Sequence, residues 1–409
     1  MKVGLLAPEF LPNWGGVGTY CIELARAMNS NVDLHVITVE REIRGQSRVS
    51  AAAMEEYFDG RVSVHVVAKA KDTFLYNWRF QRGVERWLDG RGRRENLDLV
   101  HSHHAHMSHL LYGLLAKKLP VLTTLHTTIG GQRTGIRESQ ARGGTLETSE
   151  LWQVLLNPGL RMAENVSLHS ADRFVTMSRW MEREMRRTFP YLDVPVDVVP
   201  NGVDPRRFAP ERREEDGAVK GIEKPIVLVT SRPTAAKGLQ FAIEAMNIVR
   251  RARENVHFVF AGGGDMTFWR DALLREGVPL ESFSFLGYLP YDRLPALYAR
   301  AAVYLLPTLY ENVPLRMLEA MSSGAPVVAS DVCGIPEVIV SYENGILVPP
   351  RNSEALASAM LQLLDDPSLA ARLGRAGRAT VHDAYNWNRV AELTAGSYRR
   401  MLNGEAGDA

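Results

Sequence analysis

Short apolar runs alternate with amphipathic stretches along most of the chain. The runs Val3–Ala7, Asp33–Val39, Val62–Val67, Leu99–His101, Val121–Leu125, Arg173–Thr176 and Val196–Val199 read as strands. Helical patterns such as Thr19–Met28 and Met107–Lys118 lie between them. Strand and helix patterns in alternation predict parallel sheets covered by helices on both faces. The stretch Pro200–Gly217, dense in proline, glycine and charge, interrupts the pattern and reads as an interdomain connection. A second alternation follows: Ile226–Thr230, Val256–Ala261, Phe283–Leu286, Val303–Leu306, Pro326–Ala329 and Ile346–Val348. The expected architecture is α/β, with two successive doubly wound domains, 1–200 and 201–385. A central cleft is expected where the carboxyl ends of their sheets face each other. The tail Asn386–Leu402 has a helical pattern, so residues 386–409 are expected to cross back onto the first domain. Thr127–Thr148, rich in Gly, Arg and Thr, lacks strand pattern and reads as a long functional or mobile loop.

Length and composition narrow the picture only a little. A chain of 409 residues with 45% apolar and 23% charged residues is an ordinary two-domain globular protein. A net charge of +1 argues against nucleic acid as the main partner, which demands a cationic excess. Two cysteines, Cys21 and Cys333, make no disulfide framework and point to a reducing cytoplasm. The opening MKVGLLAPEF is too short for a signal-peptide core and reads as a buried first strand. No apolar stretch is long enough to span a bilayer.

Candidate chemistry concentrates in the second half. Arg232 and Lys237 follow the strand IVLVT in SRPTAAKGLQFAIEAM. Two cations beside a helix N-terminus attract a diphosphate through fixed charge and open backbone N–H groups. A solvated turn that happens to carry both cations is the bland alternative. Further on, LYENVPLRMLEAM places Glu311 in the loop that leaves VYLLP and Glu319 on the following helix, with Pro314 in its first turn. Carboxylates accept hydrogen bonds strongly from sugar hydroxyls. Complementing the helix macrodipole would explain Glu311 equally well, and Glu319 less well.

The order Arg232, Lys237, AGGGDM, FLGYLPYDRLPALYARA and two glutamates eight positions apart resembles glycosyltransferase family 4 of the GT-B fold. The following VVASDVCGIPEVI and NGILVPP are similar to the same family's donor domain. The resemblance covers Ile226 to Pro349 and implies a retaining, metal-independent hexosyltransferase without a cofactor. Its donor would be a nucleoside-diphosphate sugar of the UDP or GDP type, and its acceptor a sugar, glycan or glycolipid hydroxyl. By resemblance, Arg232 and Lys237 bind the diphosphate, Glu311 the transferred sugar and Glu319 the ribose, while Tyr288 and Leu289 adjoin the base. Asn312, Val313 and Leu315 complete the donor loop. Where the family often carries glycines, this loop reads Asn312, Val313, Pro314, and Pro314 offers no N–H. Cys333 stands where a glycine is common and reads as a small buried residue rather than a nucleophile.

In the first half, Gly15 and Gly16 resemble the family's loop that approaches donor phosphate and acceptor, where a side chain would block close approach. His126, after VLTTL, resembles the family histidine that contacts the transferred sugar. A strand-end histidine satisfied by a loop carbonyl is the alternative. Gly16 and Gly18 before a helix, with Glu40 closing the second strand, also admit an NAD-dependent oxidoreductase. The long loop after Pro8 and the Cys at position 21 weigh against it. A nucleotide-sugar epimerase of the same fold and a non-catalytic sugar-nucleotide-binding protein are the other rivals. HSHHAHMSH holds five of the eleven histidines, yet no accompanying carboxylate or Cys constellation makes it a metal site, and no Asp-x-Asp occurs. Thr73–Arg94 places Phe74, Trp78, Val84 and Trp87 among arginines. Packing on its own sheet is the simpler role, and peripheral contact with anionic lipid at the inner membrane face the alternative.

Overall fold

The computed structural model describes residues 1–12, 15–42, 49–71, 76–140, 155–215 and 219–405. Two compact units result, each built on one parallel sheet. The first comprises Met1–Ile129, Asn157–Asn201 and Trp387–Ala409, the second Gly130–Leu156 and Gly202–Asn386.

In the first unit, β1 (Lys2–Ala7), β2 (Asp33–Glu42), β3 (Val62–Lys71), β4 (Leu99–His103), β5 (Val121–Leu125), β6 (Arg173–Thr176) and β7 (Val196–Val198) form a seven-stranded sheet ordered β3-β2-β1-β4-β5-β6-β7. All pairings are parallel, with Val3 opposite Leu34 on one side and Leu99 on the other. Val3, Leu5, Leu6, Leu99, Val100, Val121 and Leu122 are fully buried, which is why these strands read as unbroken apolar runs. The helix Tyr76–Asp89 packs Phe80, Val84 and Leu88 against this core. Trp78 stays outside, half exposed, with the Arg82 guanidinium 5.8 Å from its ring. Phe74 lies outside the described residues.

The helix Trp387–Asn403 belongs to the first unit, bringing Tyr398 to within 2.7 Å of His101 Nδ1 in β4. Arg400 Nε reaches Asp197 Oδ1 in β7 at 3.2 Å, and Arg173 Nη1 in β6 donates to the same oxygen at 3.0 Å. Arg173 and Asp197 are almost completely buried, where a charge is tolerated only with a partner.

The second unit holds β8 (Ile226–Thr230), β9 (His257–Ala261), β10 (Phe283–Phe285), β11 (Ala301–Leu306), β12 (Val327–Ser330) and β13 (Ile346–Val348). They form a six-stranded parallel sheet ordered β10-β9-β8-β11-β12-β13. Helices Leu239–Ala252 and Ser353–Asp365 bury Phe241, Met246, Leu356 and Met360 in one core cluster.

The division between the units at Asn201 and Gly202 falls within Pro200–Gly217, the expected interdomain connection, and the rest of that stretch belongs to the second unit, where Val203 and Phe208 are buried, with Phe208 packed on Tyr291 and Tyr298. The prolines and charges of the stretch had masked these two apolar anchors, and residues 216–218 lie outside the described residues. Within Thr127–Thr148, Ile129–Gln140 is helical, against the expected loop, while residues 141–148 fall outside the described part. Gly130 and Gly131 depress helix propensity there and hid the period. Cys333 is half-buried rather than buried, and its backbone sits at φ 54, the left-handed region where glycine is strain-free.

Candidate active site

In each sheet the strand order reverses once, and loops at the carboxyl ends of the strands on either side of such a point frame a crevice. In the second unit that point lies between β8 and β11. Lys237 stands in a short turn after β8, followed by Gly238 at φ 65, which caps the helix Leu239–Ala252. A Cβ at Gly238 would come 2.0 Å from the Pro307 carbonyl oxygen, so only glycine lets this turn lie against the exit of β11. Two hydrogen bonds hold it there: Leu309 N and Thr308 Oγ1 donate to Ala236 O at 2.8 and 2.9 Å. The result is an ion pair between Lys237 Nζ and Glu311 Oε2, each side chain about a quarter exposed. Arg232 is exposed in the same turn region.

Two further loops close on this one. Gly262, after β9, donates to Gly287 O at 2.8 Å, and a Cβ on it would meet Ser231 O at 2.0 Å. Gly287 (φ 65) then presents Tyr288, 51% exposed, and the half-buried Leu289. The predicted base-side residues are thus carried by a loop linked through Gly262 to the one that bears Arg232.

Glu319 lies on the helix Leu315–Ser322, buried, and accepts a hydrogen bond from Tyr298 Oη at 3.0 Å. Thr230 Oγ1 lies 3.0 Å from both Tyr298 Oη and Tyr304 Oη. Burial first, and the Glu319 carboxylate second, push the Tyr298 phenol well up, so it remains a donor. Asn312 and Val313 are buried, and Val313 packs with Met317 and Leu318 in the core. What Val313 offers a ligand is therefore main chain, not side chain. Leu315 is half-buried. Sequence reasoning missed Tyr298 and Thr230, whose hydroxyls look like ordinary core residues until Glu319 is placed beside them.

In the first unit the reversal lies between β1 and β4. Glu9 follows β1 and turns its carboxylate to the N-terminal end of the helix Gly16–Ala27, where Gly18 N donates to Oε2 at 3.4 Å. A Cβ on Gly15 would sit 2.2 Å from that oxygen, whereas nothing lies within 4 Å of one on Gly16. A side chain on Gly15 would thus displace only the flexible end of Glu9, and among the described residues no atom crowds Gly16. The other Glu9 oxygen is 3.3 Å from His106 Nε2. Glu9 was another residue the sequence reading passed over, because one acid after a strand is an unspecific signal.

The histidine cluster resolves into separate hydrogen bonds. His101 meets Tyr398 Oη and Thr124 Oγ1, both at 2.7 Å. His104 Nε2 pairs with Glu164 at 2.8 Å, and His109 bridges Ser102 Oγ and Ser167 O. His126, immediately after β5, places Nε2 3.0 Å from His103 Nδ1, and His103 Nε2 lies 3.2 Å from Cys21 Sγ. The Tyr20 ring meets His103 and His126 edge-on, at 5.5 and 5.2 Å. Burial pushes His101 down to about 3 and His109 to about 4, and holds His103 and His126 well below the ordinary imidazole value. Among the described residues, no three or more His, Cys, Asp or Glu are grouped to hold a metal ion. Glu40, the acid of the oxidoreductase reading, pairs with Lys69 at 3.0 Å.

Two family models match the chain in tandem. Residues 14–207 match Glycosyltransferase Family 4, and residues 212–380 match Glycosyl transferases group 1. The chain belongs to glycosyltransferase family 4. This glycosyltransferase is 27% identical to the glycogen synthase of Mycobacterium tuberculosis, over 99% of the chain and 96% of the relative. It is also 27% identical to the alpha-maltose-1-phosphate synthase of Mycolicibacterium smegmatis, over 98% and 100%. Among solved structures, sucrose-phosphate synthase from Thermosynechococcus elongatus superposes with a TM-score of 0.78 at 20% identity, covering 99% of this chain and 100% of that one. The Anabaena protein HepE in complex with UDP and glucose gives 0.71 at 17% identity, covering 98% and 99%. These likenesses identify the fold of the family 4 glycosyltransferase as GT-B.

Proposed function

We propose that this glycosyltransferase moves a hexosyl group from a nucleoside-diphosphate sugar to an acceptor hydroxyl, with retention of configuration and without a metal ion. The observation that carries the reading is the meeting of Lys237 and Glu311 where the second sheet reverses, with Arg232 in the same turn region. One cation and one acceptor are held together there by a backbone built to do so. In the proposed reaction Lys237 and Arg232 neutralise the charge that grows on the leaving diphosphate, helped by the helix start at Leu239. Once Lys237 engages phosphate, Glu311 is released to accept from a hydroxyl of the transferred sugar. Glu319, oriented by Tyr298, accepts from the ribose, and Tyr288 and Leu289 flank the base. In the first unit, His126 is the residue proposed to contact the sugar. The C–O bond to the diphosphate breaks as the acceptor oxygen bonds to the same face, and the leaving phosphate takes the acceptor proton. No protein nucleophile enters this scheme.

The donor proposed is of the UDP or GDP type; HepE, which shares the fold, is seen in complex with UDP and glucose. Among the described residues no helix is long and apolar enough to cross a membrane. We propose a cytoplasmic location, with Trp78, Arg79, Arg82, Arg86 and Arg94 among the exposed residues of the 73–94 segment available for contact with anionic lipid.

The deciding experiment is a thermal-shift and hydrolysis screen of UDP-, GDP- and ADP-sugars, with and without EDTA. Stabilisation by one nucleoside diphosphate and EDTA-insensitive turnover with a retained anomer are expected. Strict metal dependence, an inverted product, or no nucleotide-sugar binding would overturn the reading. Within it, Glu311→Ala should abolish transfer while nucleoside-diphosphate binding persists, and Glu319→Ala should weaken that binding.

A further inference from the structure

We propose that Cys21 and His103 are positioning residues that fix the tautomer of His126, so that His126 offers Nδ1–H as a hydrogen-bond donor to an oxygen of the transferred sugar. The inference rests on the sugar-facing role given to His126 above, and adds what makes that role directional. Three side chains from three elements stand in a row: Cys21 on the helix Gly16–Ala27, His103 at the end of β4, and His126 just after β5. Cys21 Sγ is 3.2 Å from His103 Nε2, and His103 Nδ1 is 3.0 Å from His126 Nε2.

A neutral imidazole has one N–H and one lone pair, so a row of them has only two proton arrangements. In one, the Cys21 thiol donates to His103 Nε2. His103 then carries its proton on Nδ1 and donates to His126 Nε2, and His126 carries its own on Nδ1. In the other every bond is reversed, and the row ends with an N–H directed at sulfur. The thiol is a weak donor as well as a weak acceptor, but the imidazole nitrogen is the strongest acceptor in the row, and the first arrangement, which uses it against the thiol proton, is the one proposed. It requires a protonated thiol and two neutral rings. Burial supplies both conditions, pushing Cys21 well up, with the Glu9 carboxylate adding to it, and holding the two histidines well down.

Neighbouring groups leave the row intact. His101, 4.9 Å from His103 between ring centres, has both nitrogens engaged by Tyr398 and Thr124. The Tyr20 edge packs on both His103 and His126 and limits rotation of their rings. His106, the next histidine along, lies against Glu9. The functional gain is twofold. A fixed donor selects a sugar oxygen rather than a hydroxyl proton. A ring that stays neutral places no cation beside the positive charge that develops on the sugar in the transition state.

The test reads the tautomer directly. Protein labelled with 15N-histidine is observed by long-range 15N–1H correlation at pH 7.5, with His126→Asn used to assign the signal. The native protein should show His126 protonated on Nδ1. Cys21→Ser, which keeps an O–H donor, should preserve that pattern, and Cys21→Ala should convert it to a mixture with Nε2–H. With the donor sugar that scores in the hydrolysis screen, Cys21→Ala should lower kcat about tenfold while nucleoside-diphosphate affinity is unchanged, and Cys21→Ser should stay within about twofold. An Nε2–H tautomer in the native protein, or a tautomer insensitive to Cys21→Ala in a folded sample, overturns the proposal. Absence of nucleotide-sugar turnover in the native protein overturns instead the functional reading on which the sugar contact rests, whatever the tautomer shows.

Discussion

At the reversal point of the second sheet the chain keeps opposite full charges, Lys237 and Glu311, a quarter exposed and tied to each other. At the same topological place in the first sheet it gathers imidazoles whose charge burial disfavours, His101 and His103 fully buried and His126 half-buried, with Glu9 set against a helix N-terminus. Both units are doubly wound, so the fold does not choose between the two designs. The difference lies in which side chains follow the strands. Partly exposed charges adapt to a highly charged ligand, because water already screens part of their mutual attraction. Buried neutral rings suit a ligand that must be oriented through directed hydrogen bonds. On the proposed reading, the charged pair of the second unit meets the leaving group and the imidazoles of the first unit orient the sugar.

The sharpest way to break this contrast is to delete the cation. Lys237→Ala should lower kcat for transfer by roughly 10²–10³-fold, the scale seen when one preorganised group facing developing negative charge is removed. Steady-state kinetics would show it, and a change confined to KM would mean that Lys237 binds donor without stabilising the transition state.

Acid should separate the units next. In the unfolded chain His101 and His109 take a proton near 6.5, whereas the folded first unit holds them to about 3 and about 4. Their burial therefore costs nothing above pH 6.5. Below it the unfolded state binds more protons, and stability falls by up to about 1.4 kcal/mol per pH unit for each histidine until its folded value is reached. Hydrogen exchange at pH 7.5 and pH 5 should lose protection in β4 and β5 well before β8 and β11. Equal loss in both sheets would remove the distinction.

The smallest effect concerns a position outside both sites. Cys333→Gly should stabilise the second unit by about 1 kcal/mol, because φ 54 strains any side chain and glycine is relieved of it. A chemical-denaturation midpoint that does not rise would show that Cys333 makes contacts worth as much as the strain.

Of the strands among the described residues, central ones such as β1, β5, β8 and β11 were legible because strands buried on both faces must be apolar without interruption, while edge strand β3 showed only Val alternating with Ser and His. Helices were legible only where their polar faces were regular. Met107–Lys118 read as one helix, yet Met107 takes φ 46 after the short turn His104–His106, and the α-helix is only Leu110–Leu115. The hydrogen bonds of His104 and His109 to Glu164, Ser102 and Ser167 dictate that turn, and periodicity carries no trace of them. The same limit governs the site. Arg232, Lys237, Glu311 and Glu319 stood out as charged residues at strand ends and on the next helix, where burial needs a reason. Tyr298, Thr230, Glu9 and the pairing of His103 with His126 did not, since each acquires meaning only from a partner distant in sequence.

The salt-bridged end of the helix Trp387–Asn403 has a consequence for how the molecule is made. Arg400 joins Arg173 on Asp197, and Tyr398 joins His101, yet the whole of Gly202–Asn386 lies between these partners in the chain. As the polypeptide emerges from the ribosome, the second unit can close its sheet while β6 and β7 still wait for their last helix. The unit begun first is finished last. A nascent chain stalled before Trp387 would hold one completed unit and one that still exposes the buried face of β4 and the Asp197 carboxylate.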